Sequence, residues 1–500
     1  MSSATVIGIE AAPIHIEVDM ANGLPITSIV GLPDVGIKEG RIRIRGALEN
    51  SGFNLPKRRI TVNLAPADLR KDGAAFDVPI AVGMMCAAEM LPPGPIEGCV
   101  FVGELALDGA VRPVRGVLPI AAWARAQGKR RLFVPRANLR EATVVAGDCV
   151  VEAVSAFSEV VASLRGEEPR TAPLALVEPD APGPEPPDLA DVRGQEVARR
   201  ALELAAAGGH NLLFVGPPGS GKTMLARRLP GILPTLSFDE ALETTMVYSV
   251  AGLLGGRALV RERPFRAPHH TVTTAGMVGG GPQVRPGEIT LAHHGVLFLD
   301  ELLEFSRQVL EALRQPLEDR TVALVRARRQ VLYPADFMLV AALNPCPCGH
   351  LGSTLRTCTC SPRGIARYRS RLSGPLLDRI DMHVEVPAVP YRELASTARG
   401  EPTAPVRQRV EQARERQRKR GPRSNARLTG SELEHMAALD SDGHRLLERA
   451  VERLGLSARA TTRVRRMART IADLEGVAVI RTPHLAEALQ YRLLDRQAEA

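Results

Sequence analysis

The alternation of apolar and polar residues divides the first third of the chain into short predicted strands and helices. Over residues 1–165, strand-like runs such as RITVNLA alternate with helical segments such as FDVPIAVGMMCAAEML. This alternation predicts a compact α/β domain. Residues 166–191 combine many prolines with acidic residues, a composition that disfavours helix and sheet and predicts an extended linker.

A second α/β pattern covers residues 192–390. It opens with the helical VARRALELAAAGG and the apolar strand NLLFVG, the order that a parallel sheet with crossover helices requires. Residues 391–500 are helical in pattern and include the basic stretch VRQRVEQARERQRKRGPR at 406–423. Such a charge run is usually a solvated helix face, so a part in DNA binding stays open. The prediction is an N-terminal α/β domain, a central α/β domain and a C-terminal α-helical lid.

The composition agrees with several globular domains. A chain of 500 residues is longer than one hydrophobic core supports, and its 45% apolar and 24% charged residues are typical of globular proteins. The net charge of +8 comes mostly from arginine and favours a polyanionic partner, although a GC-rich genome also enriches arginine. We find neither a signal-peptide pattern nor an apolar run of membrane-spanning length, and we expect a cytoplasmic protein with no membrane partner.

A complete phosphate-binding loop, GPPGSGKT, follows the strand NLLFV and precedes a helix. Its residues are Gly216, Pro217, Pro218, Gly219, Ser220, Gly221, Lys222 and Thr223. In such a loop the backbone N–H groups bind phosphate oxygens, the lysine reaches the β and γ phosphates, and the threonine hydroxyl binds Mg²⁺. The context disfavours the alternative, a tight glycine turn, and we predict ATP and Mg²⁺ as ligands.

Polar residues at two other strand ends complete a predicted hydrolytic site. The apolar run GVLFLDE ends in Asp300 and Glu301, and FMLVAALN ends in Asn344. Parallel sheets bind ligands at the carboxyl ends of their strands. We expect Asp300 to hold Mg²⁺, Glu301 to polarise the attacking water, and Asn344 to orient that water or contact the γ phosphate. An asparagine at a strand end also often only forms a turn.

The order of these motifs resembles a known family. GPPGSGKT, LFLDE, AALNP and GPLLDRID are similar to AAA+ ATPases of the magnesium-chelatase-like clade. With PADLRKDGAAFDVPIA, FRAPHHT and NPCPCGH, essentially the whole chain resembles the YifB/ComM family. The resemblance implies a ring, usually a homo-hexamer, with each nucleotide between two subunits. It also implies that Arg379 is the arginine finger and Arg459 the sensor-2 arginine; a structural ion pair is the alternative, and Arg463 competes with Arg459.

The segment RTVALVRARRQVLYPADF lies where this clade has a hairpin that points into the channel of the ring. Its predicted tip contains Arg326, Arg328 and Arg329. A ring of such tips suits the phosphate backbone of single-stranded or branched DNA. Arginines that protect a solvated strand edge are the alternative. The loop 265–281 is expected to face the same channel, and its two histidines, with no acidic residue nearby in sequence, are expected to be plain polar residues.

Four of the seven cysteines fall within CPCGHLGSTLRTCTC, at Cys346, Cys348, Cys358 and Cys360. In a chain expected to be cytoplasmic, this clustering favours thiolate ligands of a structural zinc ion over disulfides. The C-x-C spacing is less typical of zinc sites than C-x-x-C, so reduced thiols in a packed loop are an equal alternative.

The N-terminal domain is similar to the Lon-type protease fold (ribosomal S5 domain 2-like) through KDGAAFDVPIA and VGELALDGAVRPVRGVLP. Ala75 stands where that fold has its catalytic serine, and Leu118 stands where it has its lysine. Neither a nucleophile nor its base is available, so we expect a platform and not a peptidase. Lys71 is expected to be a turn residue.

These observations predict a Mg²⁺-dependent AAA+ ATPase that acts as a ring-shaped DNA motor. In the family this means a helicase for branch migration in homologous recombination and natural transformation. The alternative is a protein-remodelling or chelatase-type motor with a protein partner. The basic hairpin tip and the net charge favour DNA.

Overall fold

The computed structural model describes residues 1–69, 71, 73–167, 186–281, 284–326, 329–352, 356–390, 399–492 and 494. They form an N-terminal α/β domain, a central parallel sheet and a C-terminal group of helices, as the sequence predicts. Most of the predicted linker, residues 168–185, lies outside the described part. No helix in the described part is both long and apolar enough to span a bilayer.

The N-terminal domain is built on a seven-stranded mixed sheet. Its elements are β1 (Ser2–Ile7), β2 (Glu10–Ala21), β3 (Thr27–Val30), α1 (Val35–Asn50), β4 (Arg59–Ala65), α2 (Asp77–Ala87), β5 (Cys99–Phe101), β6 (Glu104–Leu105), β7 (Val111–Arg112), α3 (Val117–Ala126), β8 (Arg131–Pro135), α4 (Leu139–Thr143), β9 (Val150–Val154) and α5 (Phe157–Leu164). The sheet order is β3-β4-β2-β1-β5-β8-β9, and β6 and β7 form a separate hairpin. Alternate residues of β4, from Ile60 to Leu64, are buried, because a strand presents every second side chain to the same core.

Five parallel strands form the central sheet. The elements of this region are α6 (Glu196–Gly208), β10 (Leu212–Val215), α7 (Lys222–Ile232), α8 (Phe238–Ala251), β11 (Phe265–Arg266), α9 (Thr274–Val278), β12 (Gly279–Gly280), β13 (Arg285–Pro286), α10 (Glu288–Leu291), β14 (Val296–Leu299), α11 (Arg307–Ala312), α12 (Arg314–Asp319), β15 (Thr321–Arg326), β16 (Arg329–Pro334), β17 (Met338–Leu343), α13 (Pro362–Arg369), α14 (Gly374–Leu377) and β18 (Met382–Glu385). The sheet order is β11-β14-β17-β10-β18. Because both faces are covered, its central strands are apolar throughout and do not alternate.

The C-terminal helices are α15 (Thr403–Arg420), α16 (Gly430–Met436), α17 (Ser441–Leu454), α18 (Ala458–Glu475) and α19 (Thr482–Gln490). They cover one face of the central sheet. Leu212 and Phe214 of β10 share a core with these helices, whereas Leu213 and Val215 belong to a second core on the opposite face. The basic helix α15 therefore has a buried apolar side, which includes Val406 and Val410.

The central region begins slightly before the predicted boundary at residue 192. Leu189 is buried in its core, and the Asp191 carboxylate lies 2.8 Å from the guanidinium of Arg228 on α7. The Asp188 side chain accepts hydrogen bonds from both the amide and the hydroxyl of Thr403. A proline-rich composition marks the linker, but it does not show which of its last residues are packed.

The strand register brings three strand ends to one edge of the central sheet. Val215 pairs with Leu343, and Leu299 pairs with Ala341. The residues that follow these strands therefore share the carboxyl edge, where parallel sheets bind ligands.

The N-terminal domain docks on α8. The amide of Gly116 donates to the carbonyl oxygen of Ser249 at 3.1 Å, and the Ser249 hydroxyl donates to Glu141 at 2.5 Å. The Glu141 carboxylate also accepts from the Asn138 amide at 2.6 Å, and burial raises its pKa. A buried acid with these donors fixes the two surfaces together, since its loss would leave buried polar groups unpaired.

A second contact joins the N-terminal domain to the hairpin formed by β15 and β16. Gly8, in the turn between β1 and β2, has a φ of +66°, and a Cβ atom there would lie 2.9 Å from the carbonyl oxygen of Leu332. The adjacent Ile9 packs against the core beneath the hairpin. This close approach favours glycine at position 8.

The two positions of the absent protease dyad differ in burial, since Ala75 is half-buried and Leu118 lies inside the core. Ala75 lies in a short 3-10 helix, Ala74–Phe76, and Leu118 has no solvent exposure. The expectation for Lys71 is wrong: its side chain is fully buried, and its ammonium group donates to the carbonyl oxygens of Gly31 and Pro66. Lys71 therefore holds two backbone segments together and is not an exposed turn residue.

Leu118→Lys is expected to lower the free energy of unfolding by at least about 3 kcal/mol, because it would place an ammonium group in an apolar core. Urea unfolding followed by the fluorescence of Trp123, the single tryptophan, reports on this domain. Leu107→Lys is the matched control, because Leu107 is 59% exposed. Equal losses of stability in the two variants would contradict the burial of Leu118.

Candidate active site

The phosphate-binding loop connects β10 to α7 at the carboxyl edge of the central sheet. A Cβ atom at Gly216 would lie 2.1 Å from the carbonyl oxygen of Val386, so only glycine fits there. Gly219 and Gly221 have φ values of +78° and +93°, which other residues rarely adopt. These three glycines let the loop turn tightly and present backbone N–H groups at the start of α7.

Lys222 is the buried cation of the loop. Its ammonium group donates to the carbonyl oxygens of Gly216 and Pro217, both at 2.8 Å, and to Asn344 Oδ1 at 3.2 Å. Burial lowers its pKa, while Asp300 and Glu301 act in the opposite direction. Phosphate oxygens can replace these neutral acceptors with stronger, charge-assisted bonds. The predicted contact between Asn344 and the phosphate region is therefore compatible with the geometry.

Two oxygen donors beside the loop fit a divalent cation. The hydroxyl of Thr223 donates to Asp300 Oδ2 at 2.6 Å. Magnesium prefers hydroxyl, carboxylate and water oxygens, so this pair has the chemistry of a Mg²⁺ site beside phosphates. The buried hydroxyl of Ser220 has no hydrogen-bond partner in the described part of the chain, so it is also available to the ligand.

Glu301 is exposed at the edge of the site. It has a φ of +50°, and its amide donates to Asp300 Oδ1 at 3.0 Å. His270 Nδ1 lies 3.8 Å from Glu301 Oε2, and the rings of His269 and His270 are 4.0 Å apart. No acidic residue lies near these histidines in sequence, but the fold brings the loop 265–281 to β14 and places His270 beside Glu301. No local sequence pattern indicates this contact.

The predicted arginines lie elsewhere. Arg379 is buried, and its guanidinium lies 2.5 Å from Glu318; Arg459, which is 60% exposed, lies 3.8 Å from the same carboxylate. The side-chain amide of Asn211, which directly precedes β10, donates to the carbonyl oxygen of Arg379 at 3.0 Å. Lys222 follows the opposite end of that four-residue strand, so the two sites are separated by about 13 Å of strand. Neither arginine meets the phosphate-binding loop of its own chain.

A cavity of about 420 Å³ surrounds these arginines at the amino edge of the sheet. It is lined by Gly209, Asn211, Pro316, Leu317, Glu318, Arg320, Asp336, Phe337, Arg379, Asp381, Ala426, Arg427, Thr429, Ala458, Arg459, Thr462, Arg463 and Arg466. Arg463, the alternative to Arg459, forms an ion pair with Asp381 at 2.8 Å and is mostly buried. Glu318, which holds both predicted arginines, is a site residue that the sequence analysis missed.

The four clustered cysteines converge. Cys346 Sγ lies 3.4 Å from Cys348 Sγ and 3.6 Å from Cys358 Sγ, and all four Sγ atoms lie within 4.8 Å of one another. The amide of Cys348 donates to Cys360 Sγ at 3.3 Å, and hydrogen bonds from the His350 and Thr359 backbones lower the pKa of the Cys348 thiol to about 5. Four convergent sulfur atoms can hold a tetrahedral metal ion.

This cysteine cluster also touches the nucleotide loop. A Cβ atom at Gly349, which has a φ of +79°, would lie 2.5 Å from Pro218 Cδ. The guanidinium of Arg369 on α13 donates to the carbonyl oxygen of Pro345 at 3.3 Å. The loop that follows Asn344 is thus packed between α13 and the phosphate-binding loop.

A second polar cluster, missed in the sequence, consists of Glu243, His293 and His294. Glu243 Oε2 lies 3.2 Å from His293 Nε2 and 2.7 Å from His294 Nε2, and hydrogen bonding to His293 contributes most to lowering the pKa of Glu243 to about 2. The backbone N–H of Asp336 donates to His293 Nδ1 at 3.0 Å, so Nε2 of the neutral ring carries the proton. That nitrogen has no lone pair for a metal, and the cluster is a hydrogen-bonded support of the sheet edge.

The predicted hairpin is present. Strands β15 and β16 pair in antiparallel register, from Thr321 with Pro334 to Arg326 with Arg329, and Arg328 lies outside the described residues. The register puts Arg326 and Arg329 at the end of the hairpin. Val325, next to this end, is 77% exposed.

Comparisons with known proteins cover nearly the whole chain. Residues 188–394 match the family described as "Magnesium chelatase, subunit ChlI", residues 16–138 match "Subunit ChlI of Mg-chelatase", and residues 400–492 match "Magnesium chelatase, subunit ChlI C-terminal". The chain is 47% identical to the competence protein ComM of Haemophilus influenzae and 46% identical to YifB of Salmonella typhimurium. Each alignment covers 98% of this chain and 96% of the relative.

A more distant similarity is to a Lon protease. The chain is 29% identical to Lon protease 2 of Bacillus subtilis over 203 residues, which is 35% of this chain and 36% of that protein. This similarity, the near full-length matches and the geometry of the phosphate-binding loop agree with one another. The chain belongs to the YifB/ComM family of magnesium-chelatase-like AAA+ ATPases, whose members bind ATP and Mg²⁺.

Proposed function

We propose that this AAA+ ATPase assembles into a ring, most simply a homo-hexamer, and uses ATP hydrolysis to move along single-stranded or branched DNA. The proposal of a ring rests on the position of Arg379 and Arg459 at the amino edge of the sheet. Arginines there are too far from Lys222 of the same chain to touch its nucleotide. Acting on phosphate therefore requires a neighbouring subunit.

The carboxyl edge supplies the hydrolytic groups. Lys222 would bind the β and γ phosphates, and Thr223 and Asp300 would hold Mg²⁺, which would neutralise charge on the phosphate oxygens. Glu301 accepts a proton from the attacking water, and Asn344, already hydrogen-bonded to Lys222, orients that water or the γ phosphate. Arg379 from the adjacent subunit stabilises the charge that develops as the terminal phosphate is transferred.

The hairpin β15–β16 is the proposed contact to DNA. It carries three arginines in four residues at Arg326, Arg328 and Arg329, and arginines bind phosphates without reading the base sequence. The exposed Val325 beside them gives an apolar surface that suits sugar and base contacts. A motor of this type would act in strand exchange, as a helicase that promotes branch migration in homologous recombination and natural transformation. A relative named for competence supports this assignment.

A protein-remodelling or chelatase-type motor is the second candidate, because three magnesium-chelatase families match the chain. Such a motor would hydrolyse ATP in response to a protein partner, and its hairpin arginines would bind an acidic protein surface. DNA dependence of ATP hydrolysis distinguishes the two functions.

We further propose that the four-cysteine cluster holds a structural zinc ion. The four Sγ atoms converge, and backbone N–H groups point at two of them, as is favourable for thiolates. A closed set of four sulfur ligands gives the ion a structural role. It would stiffen the loop that packs on Pro218.

Glu301→Gln is expected to reduce kcat for ATP hydrolysis by about 10²- to 10⁴-fold while ATP still binds, because the amide cannot take the proton from water. Steady-state phosphate release and binding of a fluorescent ATP analogue measure the two effects. Lys222→Ala is expected to lose both binding and hydrolysis. Glu304→Gln is the control, because Glu304 is a nearby exposed carboxylate. A Glu301→Gln protein with normal kcat would exclude the role of Glu301.

DNA is expected to stimulate ATP hydrolysis, and the stimulation is expected to fall with salt, because phosphate contacts release counterions. The triple change of Arg326, Arg328 and Arg329 to alanine should abolish it and flatten the salt dependence of DNA binding measured by fluorescence anisotropy. Alanine at Arg445, Arg449 and Arg453 removes the same charge from α17 and should change neither. Hydrolysis that ignores single-stranded and forked DNA would reject the DNA motor and favour a protein partner.

Purified protein is expected to contain one zinc ion per chain by inductively coupled plasma mass spectrometry. Changing Cys346 and Cys358 to serine should remove the zinc and lower the midpoint of thermal unfolding, because the loop then loses its crosslink. Cys86→Ser is the control and should retain the metal. Four reduced thiols that react fully with a thiol reagent in the native, metal-free protein would contradict the zinc site.

A further inference from the structure

The cavity at the amino edge contains more positive than negative charge. Its lining includes six arginines but only three carboxylates, those of Glu318, Asp336 and Asp381. Each carboxylate already has an arginine partner: Glu318 lies against Arg379 and Arg459, Asp336 against Arg427, and Asp381 against Arg463. The cavity therefore has the electrostatics of an anion site.

Two of the cavity arginines have no ion-pair partner in the described part of the chain; Arg466 donates to the carbonyl oxygen of Leu428 at 2.8 Å, whereas Arg320 has no such bond. Within the described part of the chain, its half-buried guanidinium has neither a hydrogen bond nor an ion pair. Burial and, secondly, the charge of Arg423 lower its pKa to about 10, so its surroundings disfavour its own charge. A bound anion would favour the charged guanidinium of Arg320 and raise its pKa.

Two buried donors on neighbouring arginines also lack acceptors. Arg379 is 8% exposed, and among the described residues neither its Nε–H nor Nη1 of Arg463 has a hydrogen-bond partner. Unpaired buried donors are costly, and in native proteins they usually mark a missing ligand or water. Three arginines around one cavity thus have unused hydrogen-bonding capacity.

The backbone of Arg320 forms the base of the hairpin. Its amide donates to the carbonyl oxygen of Pro316 at 2.9 Å, and its carbonyl oxygen accepts from the amide of Ala335 at 2.8 Å. Thr321 follows it directly and pairs with Pro334, so both strands of the hairpin are anchored at this residue. Arg320 has a φ of +57°, which fixes the change of direction from α12 into β15.

We propose that Arg320 binds a phosphate group of the nucleotide held by the adjacent subunit, and that its backbone couples this contact to the position of the hairpin. This inference rests on the proposed ring. In it, Arg379 and Arg459 reach the same nucleotide, and Arg320 adds a third cation whose main chain continues directly into β15. Release of the terminal phosphate frees the Arg320 side chain and relaxes the hairpin base. Arg320 thus contacts the nucleotide, and its backbone links ATP hydrolysis to movement of the hairpin that binds DNA.

A mixing experiment tests the contact between subunits. Arg320→Met keeps the aliphatic stem of the side chain and removes its charge, and it is expected to reduce ATP hydrolysis about 10-fold or more. Lys222→Ala subunits cannot hydrolyse ATP themselves but supply an intact Arg320. Mixing the two variants is therefore expected to raise hydrolysis above the sum of their separate rates, because each Arg320→Met subunit beside a Lys222→Ala neighbour regains a complete site.

Further variants separate charge from folding. Arg320→Lys keeps the positive charge and should retain more activity than Arg320→Met. Both variants should change the ratio of DNA-stimulated to basal ATP hydrolysis more than they change the unfolding temperature. Arg445→Ala, outside the cavity, is the control. Light scattering verifies that the variants assemble as the unchanged protein does; if Arg320→Met does not assemble, the mixing is repeated with Arg320→Lys.

The outcomes are distinct. Recovery on mixing supports a phosphate contact in the adjacent subunit. Normal activity of Arg320→Met, or loss of activity that mixing does not restore, would overturn this inference and leave the ring motor intact. Absence of ATP hydrolysis or of assembly in the unchanged protein would instead overturn the proposed function. If neither Arg320 variant changes the ratio of DNA-stimulated to basal ATP hydrolysis, the proposed coupling between Arg320 and the hairpin is contradicted.

Discussion

The central parallel sheet has two chemically different edges, and the groups proposed to act on ATP are divided between them. Lys222, Thr223, Asp300 and Asn344 follow strands and meet at the carboxyl edge, whereas the arginines gather at the amino edge. Strand length keeps the groups apart, and both faces of the sheet are packed, so neither set can swing to the other. Any chemistry that uses both sets must therefore combine two copies of the sheet.

Two peripheral features of the chain contact elements beside this sheet through short, specific contacts. The cysteine loop touches the nucleotide loop where Gly349 approaches Pro218, and the N-terminal turn touches the hairpin where Gly8 approaches Leu332. Both contacts use glycines with positive φ, since a side chain would prevent the approach. Packed contacts of this kind transmit displacement better than exposed ion pairs, because buried surfaces are close-packed. They join the cysteine cluster to the nucleotide loop, and the N-terminal domain to the hairpin.

The contiguous parts of the site were predictable, and the parts assembled from distant segments were not. The loop from Gly216 to Thr223 is a local motif, and Asp300 and Asn344 follow from the rule that ligands lie at the carboxyl ends of parallel strands. Glu318 beside Arg379 and His270 beside Glu301 depend on tertiary contacts that leave no periodic signal. The start of the central region was also displaced, because burial of Leu189 depends on packing and not on composition. Lys71 looked like a turn residue because sequence does not reveal a buried ammonium group bound by carbonyl oxygens.

At two half-buried positions of this structure, arginine has a physical advantage over lysine. Burial lowers the pKa of Arg320 to about 10 and that of Arg414 to about 10, and both remain charged at physiological pH. A lysine with its ordinary pKa of about 10.4, shifted by a similar amount, would titrate near pH 8 and lose part of its charge. Guanidinium also offers five donors in a plane, which suits phosphate geometry. Half-buried cations that stay charged without a bound anion are therefore better built from arginine than from lysine.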